Sequence, residues 1–217
     1  MTWSLNEIEN LARKAARGAG MDWGPAEEAG RATRWLCAAG WPGAEALAEL
    51  LARNDGAPWD SLRPRTGQDP WQATGGTLCP VAAGTAICDW AHEWAGGGTA
   101  RLGRTAQPIL LIPFMAMAAD LAGARLGIGW QGVTVTRGDG LTRVDITDMA
   151  ALRKSSVDAV HVGPATHTRG ERVTRAYRAT VPAETARALA QLAHRTYAPA
   201  TPESRLSGAG AGLSDND

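Results

Sequence analysis

Length, composition and charge restrict the classes of protein to which this chain can belong. It has 217 residues, with 22 basic and 22 acidic side chains and a formal net charge of zero. Because a neutral chain creates no overall field that attracts polyanions, we expect neither nucleic acid nor a membrane as a partner. The longest apolar stretch, residues 109–119, contains a proline and is too short to span a bilayer.

The cysteines and the first residues predict a cellular compartment. Cys37, Cys79 and Cys88 are odd in number and too few for a disulfide framework, which indicates a reducing environment. The N-terminus is acidic and lacks the basic flank and apolar run of a secretory signal. The sequence therefore predicts a cytoplasmic protein with a core of its own.

The front of the chain has the pattern of helices. Ser4 and Glu7 stand three residues apart before a run of apolar residues, which is the arrangement of a capping box. Apolar residues at helical spacing predict three successive helices, the first ending at Gly18, the second near Gly40 and the third carrying Leu51.

The next segment, residues 54–77, is rich in Gly, Pro, Asp and Arg and contains Trp59 and Trp71. This composition predicts an ordered surface loop that packs its own rings. Beyond it we expect a helix that begins at Pro80, a short buried strand over residues 108–112, and another helix over residues 113–121.

In the last third the apolar period changes from helical spacing to two, which predicts β-strands. The alternating residues are Leu126, Ile128 and Trp130, then Val133 and Val135, then Val144 and Ile146, and then Val173, Tyr177 and Val181. The tripeptide Gly138-Asp139-Gly140 predicts a hairpin turn between two of these strands, and Pro182 begins a last helix.

The order of these elements predicts an α+β fold, with N-terminal helices packed on a mainly antiparallel sheet, a C-terminal helix and an extended Gly/Ala-rich tail. We expect one domain over residues 1–198, in which residues 1–53 form a helical part and residues 78–198 a mixed part. Residues 199–217 form the tail.

Cys79 is the first candidate catalytic residue. It immediately precedes Pro80, which is expected to open a helix, and a helix N-terminus favours the thiolate. Cys79 is thus a candidate nucleophile. The alternative is a buried cysteine that packs as a small apolar side chain.

Asp89 is a second candidate. A carboxylate among apolar neighbours needs a partner if it is buried, so Asp89 is either an acid–base group or a residue on an exposed helix face. Cys88 and His92 lie one helical turn apart but offer only two good ligands. We therefore expect no metal site and no cofactor.

The second predicted helix carries charged residues at spacings of three and four, namely Glu27, Glu28, Arg31 and Arg34. This spacing is typical of surface salt bridges. It also fits a substrate clamp, with Glu27 as an acid–base group and Arg31 as a ligand for an anion. Trp23 could line the same pocket or serve only as a packing residue.

Gly127, Gly129 and Gly132 match the letters of a dinucleotide-binding fingerprint, G-x-G-x-x-G. The flanking residues are strand-like and no helix follows, so we expect no phosphate-binding loop. We expect these glycines to permit a bulge or a close strand crossing.

Several segments resemble an uncharacterised bacterial family of about this length, a domain of unknown function (family 3726). These segments are LNEIENLARKAARGAGMDWGPAEEAGRATRWL, LCPVAAGTAICDW, PILLIPF and TYAPATPESRLSGAGAGLSDND. The last segment implies that the tail is more than a linker, which makes Ser204, Arg205 and Asp215 candidate ligand-binding residues. The resemblance implies no known activity.

Two functional hypotheses follow. In the first, the chain is a small-molecule enzyme or catalytic subunit that acts on an anionic metabolite, in a pocket near Cys79 where the helical N-terminal part meets the sheet. Asp89 or Glu27 would be the acid–base group, and Arg31 or Arg205 would hold the anion. In the second, it is a non-catalytic ligand-binding or assembly subunit, a homo-oligomer whose tail docks on a neighbouring chain.

Overall fold

The computed structural model describes residues 2–166 and 170–197, which form eight α-helices and ten β-strands. The helices are α1 (Leu5–Gly18), α2 (Trp23–Ala38), α3 (Gly43–Asn54), α4 (Trp59–Leu62), α5 (Pro80–Asp89), α6 (Ala91–Ala95), α7 (Ile112–Ala122) and α8 (Ala183–His194). The strands are β1 (Thr2–Ser4), β2 (Ala100–Leu102), β3 (Thr105–Ala106), β4 (Leu126–Trp130), β5 (Val133–Gly138), β6 (Leu141–Ile146), β7 (Ser156–Val157), β8 (Val160–Pro164), β9 (Glu171–Arg172) and β10 (Arg178–Thr180). None of these helices is both long and apolar enough to cross a bilayer.

The main sheet has six strands in the order β2-β8-β4-β5-β6-β9, and every neighbouring pair is antiparallel. Two small antiparallel pairs, β1 with β10 and β3 with β7, stand beside it. The predicted α+β fold with a mainly antiparallel sheet is confirmed.

The two faces of the main sheet differ in character. Leu126, Ile128 and Trp130 are buried on the face against which α7 packs. Because side chains alternate along a strand, Gly127 and Gly129 occupy the opposite face. The sheet therefore has an apolar inner face and an outer face with little side-chain bulk.

Helix α1 begins with a capping box and, near its end, packs closely on α8 through a glycine. The Ser4 backbone N–H donates to the Glu7 carboxylate (2.7 Å) and the Glu7 N–H donates to Ser4 Oγ (3.3 Å), so the predicted capping box is confirmed. At the crossing of α1 and α8, a Cβ on Gly18 would lie 1.8 Å from the carbonyl oxygen of Leu192. Only glycine permits this approach.

The predicted strand over residues 108–112 is wrong. Pro108–Leu111 is a 3₁₀ helix that leads directly into α7. All of these residues are buried, so the sequence has no alternation of polar and apolar residues that would show whether the apolar spacing is that of a helix or of a strand. A short apolar run of this kind fits a buried strand and a buried helix equally well. Pro108 fits the first position of a helix, where its missing N–H costs nothing.

The loop ahead of α5 is attached to the edge of the main sheet. The Trp71 N–H donates to the Arg101 carbonyl (2.8 Å), and the Gly103 N–H donates to the Trp71 carbonyl (2.9 Å). The Trp71 ring packs on Trp90, with ring centroids 4.9 Å apart. The loop is ordered as predicted, but this ring packs outside the loop.

The predicted hairpin between β5 and β6 is confirmed. Asp139 (φ 51°) and Gly140 (φ 72°) both have the left-handed backbone that a type I′ turn requires. The strand predicted around Val173 and Tyr177 is wrong: residues 173–177 are irregular and lie between β9 and β10. Strands β2 and β8 are not among the elements predicted from the sequence.

Candidate functional site

A cleft of about 1350 Å³ lies over the outer face of the main sheet. We call it the glycine cleft. Its lining includes Gly127, Gly129, Gly163, Thr134, Thr136, Arg101, His161, Trp71, Trp90 and residues 66–69. Its volume exceeds the range of about 300–1,000 Å³ that is usual for small-molecule sites, so it can admit a metabolite larger than a simple acid.

The strand register aligns the floor of the glycine cleft in two rows. In the first row, Arg101 of β2 lies opposite His161 of β8, His161 lies opposite Gly129 of β4, and Gly129 lies opposite Thr134 of β5. Directly opposed residues in antiparallel strands have Cα atoms about 4.5–5.5 Å apart and point to the same face. The row therefore combines a guanidinium, an imidazole and a hydroxyl.

The second row is almost without side chains. Gly163 of β8 lies opposite Gly127 of β4, and Gly127 lies opposite Thr136 of β5. The β4–β5 register runs without an extra residue from Leu126 to Trp130, so the expected bulge is absent. The glycines instead leave the flat backbone of two strands open to the cleft.

Space, rather than backbone strain, distinguishes Gly127. A Cβ there would meet its three nearest neighbours at 3.6 Å each, which is ordinary contact. Gly127 is not among the residues with positive φ. The fold thus has room for a Cβ at this position. Because Gly127 has no side chain, the floor of the cleft is open there.

Charged side chains stand at one edge of the cleft. Arg101 Nε lies 3.5 Å from Asp69 Oδ1, and both side chains are at least half exposed. An exposed pair of this kind is weak, so Arg101 can exchange its carboxylate for an anionic ligand. His161 is also exposed, next to Arg101 in the register.

Tryptophans form the wall behind these charges. The Trp71 and Trp90 rings meet edge to face, with centroids 4.9 Å apart, and Trp90 is 5.8 Å from Trp94. Trp94 is fixed because its indole N–H donates to the Ile87 carbonyl (2.6 Å). Trp71 and Trp94 are buried, so Trp90, which is half-buried and packs on both of them, is the ring of this cluster that the cleft can expose to a ligand.

A second groove of about 670 Å³ adjoins the glycine cleft. Gly129, Thr134 and His161 line both spaces, while Lys154 and Asp158 line only the second groove. His161 therefore lies where the two spaces meet. At the far side of the cleft, Thr136 is buried, and its Oγ1 has no hydrogen-bond partner within residues 2–166 and 170–197.

Cys79 lies at the N-cap of α5, as predicted, but its side chain is 1 % exposed. Burial raises the pKa of its thiol to about 11, against weaker opposing hydrogen bonds from backbone N–H groups. The desolvation of the thiolate outweighs the helix N-terminus. Burial therefore favours the protonated thiol over the thiolate, and Cys79 does not line the glycine cleft.

The other predicted catalytic residues are more exposed than Cys79. Asp89 is exposed at the opposite end of α5, about 15 Å away at 1.5 Å per residue. Glu27 lies 3.7 Å from Arg31, whose guanidinium also contacts Glu28 at 2.6 Å. These are the surface pairs that the helical spacing indicates.

Trp23 is 64 % exposed and has the Arg17 guanidinium stacked 4.7 Å above its ring. It lines neither the glycine cleft nor the adjoining groove. Ser204, Arg205 and Asp215 lie outside the described residues, as does the predicted tail. Within the described ranges, no three His, Cys, Asp or Glu residues come close enough to hold a metal ion.

Sequence reasoning missed the residues of the glycine cleft. The spacing of Gly127 and Gly129 predicts a bulge or a close strand crossing, not the floor of a ligand cleft. Arg101 and His161 lie on strands that the pattern did not reveal. The run Val160-His161-Val162-Gly163 does alternate between apolar and other residues, and this was the available signal for β8.

Comparisons with known proteins agree with the resemblance at the front of the chain. The model of a family described as "Protein of unknown function (DUF3726)" matches residues 3–79. Among solved structures, malate dehydrogenase from Entamoeba histolytica is similar at 12% sequence identity and a TM-score of 0.46, over 81% of this chain and 49% of that chain. This chain thus spans about half the length of that structure. No curated protein matches the chain.

Proposed function

We propose that this protein binds a small anionic metabolite with a planar group in the glycine cleft. The observation that carries the proposal is the pair of residue rows on the outer sheet face, where Gly127 and Gly163 leave a flat floor beside Arg101 and His161. A planar ring can lie directly on exposed strand backbone, and a guanidinium at the edge can hold a carboxylate or phosphate.

The aromatic wall supports the same ligand class. The half-buried Trp90 presents ring surface at the side of the cleft, with the buried Trp71 ring packed against it, and a ring of this kind packs well against a planar group. Arg101 lies across the floor from Thr134, so an anionic end and a hydroxyl-bearing end of one ligand would find different partners.

The test is a titration of four anions that carry planar rings: benzoate, indole-3-acetate, AMP and FMN. Backbone amide signals are followed by NMR in the ¹⁵N-labelled full chain. The proposal expects at least one probe to shift the amides of residues 127, 129, 161 and 163 to saturation, and its neutral analogue, such as benzamide or adenosine, to bind at least fivefold more weakly. If none of the four moves these signals, the proposal fails.

His161 supports the further proposal that the protein acts on its ligand as an enzyme. Imidazole is the side chain that most often transfers protons in catalysis, and His161 lies between the glycine cleft and the adjoining groove. A reacting atom above Gly129 would be within its reach, because these two residues are directly opposed in the sheet.

A metabolite extract incubated with protein and analysed by mass spectrometry tests this step. The enzyme hypothesis expects a compound that the wild type consumes and that the His161→Asn variant consumes at least a hundredfold more slowly. Equal consumption by the two proteins would remove His161 from the mechanism. A wild type that consumes nothing would leave ligand binding alone as the function.

A further inference from the structure

A separate cavity of about 250 Å³ lies on the other side of the molecule from the outer sheet face, between α2, α7 and the irregular segment 173–177. We call it the arginine pocket. Its lining consists of Glu28, Arg31, Ala32, Trp35, Pro113, Phe114, Ala116, Met117, Asp120, Arg137 and Arg175. It shares no lining residue with the glycine cleft.

The guanidiniums of the arginine pocket differ in their carboxylate partners. Three guanidiniums and two carboxylates line it, and Glu27, outside the lining, also contacts Arg31 at 3.7 Å. Arg31 is engaged by Glu28 at 2.6 Å. Arg137 and Asp120 form a two-pronged pair, with Nε–Oδ1 and Nη2–Oδ2 distances of 2.9 Å each. Among the guanidiniums that line the pocket, Arg175 is therefore the one without a carboxylate partner within the described residues.

The Arg175 guanidinium packs on an aromatic ring but has no polar partner within the described residues. Its guanidinium carbon lies 4.6 Å from the centre of the Trp35 ring. The next residue fixes the segment, because the Ala176 N–H donates to the Ala38 carbonyl (2.7 Å). Within the described parts of the chain, Arg175 makes no hydrogen bond or ion pair, so its donors are available.

The electrostatic surroundings of Arg175 favour an anion. Arg175 is an exposed residue, but partial burial of its guanidinium and the nearby charge of Arg137 both lower its pKa, against an opposing effect of Asp120. Arg137 is already held by Asp120 and by the Gly140 carbonyl (2.6 Å), so it adds positive potential without being free to move. A carboxylate beside Arg175 would relieve this repulsion.

The remaining lining is apolar. Trp35, Phe114 and Met117 surround the space below the guanidiniums, and the Met117 side chain is 38 % exposed. A cavity of this volume is too small for a nucleotide and suits a ligand with an apolar body of a few carbons. We propose that the arginine pocket binds a short hydrophobic monocarboxylate, with Arg175 as its anion ligand and the Trp35 and Met117 side chains packed on its apolar body.

The probe for this site is hexanoate, and its neutral counterpart is 1-hexanol. In the full chain, we expect hexanoate to shift the Met117 methyl signal and the Trp35 indole signal to saturation. Hexanol should bind at least tenfold more weakly, because it offers no charge to Arg175. Equal binding of the two probes, or no saturable shift, would overturn the proposal.

Arg175→Gln tests the assigned residue, and Arg172→Gln is the matched control, an exposed arginine of the neighbouring strand that does not line the pocket. We expect Arg175→Gln to weaken hexanoate binding at least tenfold and Arg172→Gln to leave it within twofold. An unchanged affinity in Arg175→Gln would overturn the assignment. Ligand binding in the glycine cleft should be unaffected by either variant, so the two proposals can fail separately.

Discussion

Gly163 of β8 lies directly opposite Gly127 of β4 on the outer face of the main sheet. Two glycines paired across adjacent strands give up side-chain packing and add backbone freedom to the unfolded chain, which costs each strand about 0.5–1 kcal/mol relative to alanine. A Cβ on Gly163 would lie 3.0 Å from Thr99 Cγ2, so close packing favours glycine there, whereas Gly127 has room for a Cβ and lines the cleft of about 1350 Å³. The pair keeps a flat floor beside Arg101 and His161.

The charge of Arg101 should control the affinity of the glycine cleft for anions. We expect Arg101→Gln to weaken the binding of whichever planar anion the NMR titration identifies by about tenfold or more, since hydrogen bonds to a charged group contribute about 1.5–3 kcal/mol. Asp69→Asn should strengthen it, because Asp69 competes for Arg101. Isothermal titration calorimetry measures both.

Arg104→Gln is the control for these variants, because Arg104 is exposed close to Arg101 but does not line the cleft. Its affinity should match the wild type. A loss of affinity in Arg104→Gln equal to that in Arg101→Gln would indicate a nonspecific effect of net charge. The unfolding free energy should hardly change in any of the three variants, since surface ion pairs contribute little.

The packing of α5 on α7 depends on one glycine. A Cβ on Gly84 would lie 2.3 Å from Cδ2 of Phe114, whose ring is buried. We expect Gly84→Ala to lower the unfolding free energy by about 1–3 kcal/mol through overpacking, despite the better helix propensity of alanine. Urea denaturation measures the difference.

Gly24→Ala is the matched helical control, because a Cβ there meets nothing within 4 Å. Its unfolding free energy should stay the same or rise by less than about 1 kcal/mol. If Gly84→Ala proved as stable as Gly24→Ala, the close contact between Gly84 and Phe114 would not exist in solution.

The buried thiols should make stability fall at alkaline pH. Burial raises the pKa of Cys37 and of Cys79 from 9.0 to about 11, and burial together with the charges of Glu28 and Asp89 raises that of Cys88 to about 12. Above pH 9 the unfolded chain loses these protons while the folded chain keeps them. The stabilisation is therefore complete below pH 9 and is lost as the pH rises towards 11.

Each thiol can contribute at most about 1.4 kcal/mol per pH unit to this slope. Urea denaturation between pH 8 and pH 10.5 should show a smaller slope for Cys79→Ala than for the wild type, whatever the packing cost of the substitution. An identical slope would mean that the Cys79 thiol ionises equally easily in the folded and unfolded chains.

The sequence predicted those elements whose pattern is local. The Ser4–Glu7 capping box, the Asp139–Gly140 turn and the alternation from Leu126 to Trp130 each follow from neighbouring residues. They were sufficient for the fold class. The 3₁₀ helix at Pro108 was mistaken for a strand because burial on all sides removes the period.

The candidate site could not be predicted in the same way. Its residues come from β2, β4, β5 and β8, and only the register brings His161 between Arg101 and Gly129. The residues next to a glycine in a strand do not indicate on which face of the sheet the missing side chain leaves space. Cys79 illustrates the converse: the sequence predicts its position at a helix N-cap but leaves a reactive thiol and a buried one as alternatives, and the packing around the residue buries it.

The most direct test of the glycine cleft is the affinity of the best-binding planar anion for Gly127→Val, measured by calorimetry beside the wild type and Gly24→Ala. A β-branched residue suits a strand, and the neighbours of Gly127 leave room for its Cβ, so the unfolding free energy should stay within about 1 kcal/mol of the wild type. The valine methyl groups fill the cleft floor. We predict at least a tenfold loss of affinity in Gly127→Val and none in Gly24→Ala. Unchanged binding in a stable Gly127→Val protein would contradict a ligand site in the glycine cleft.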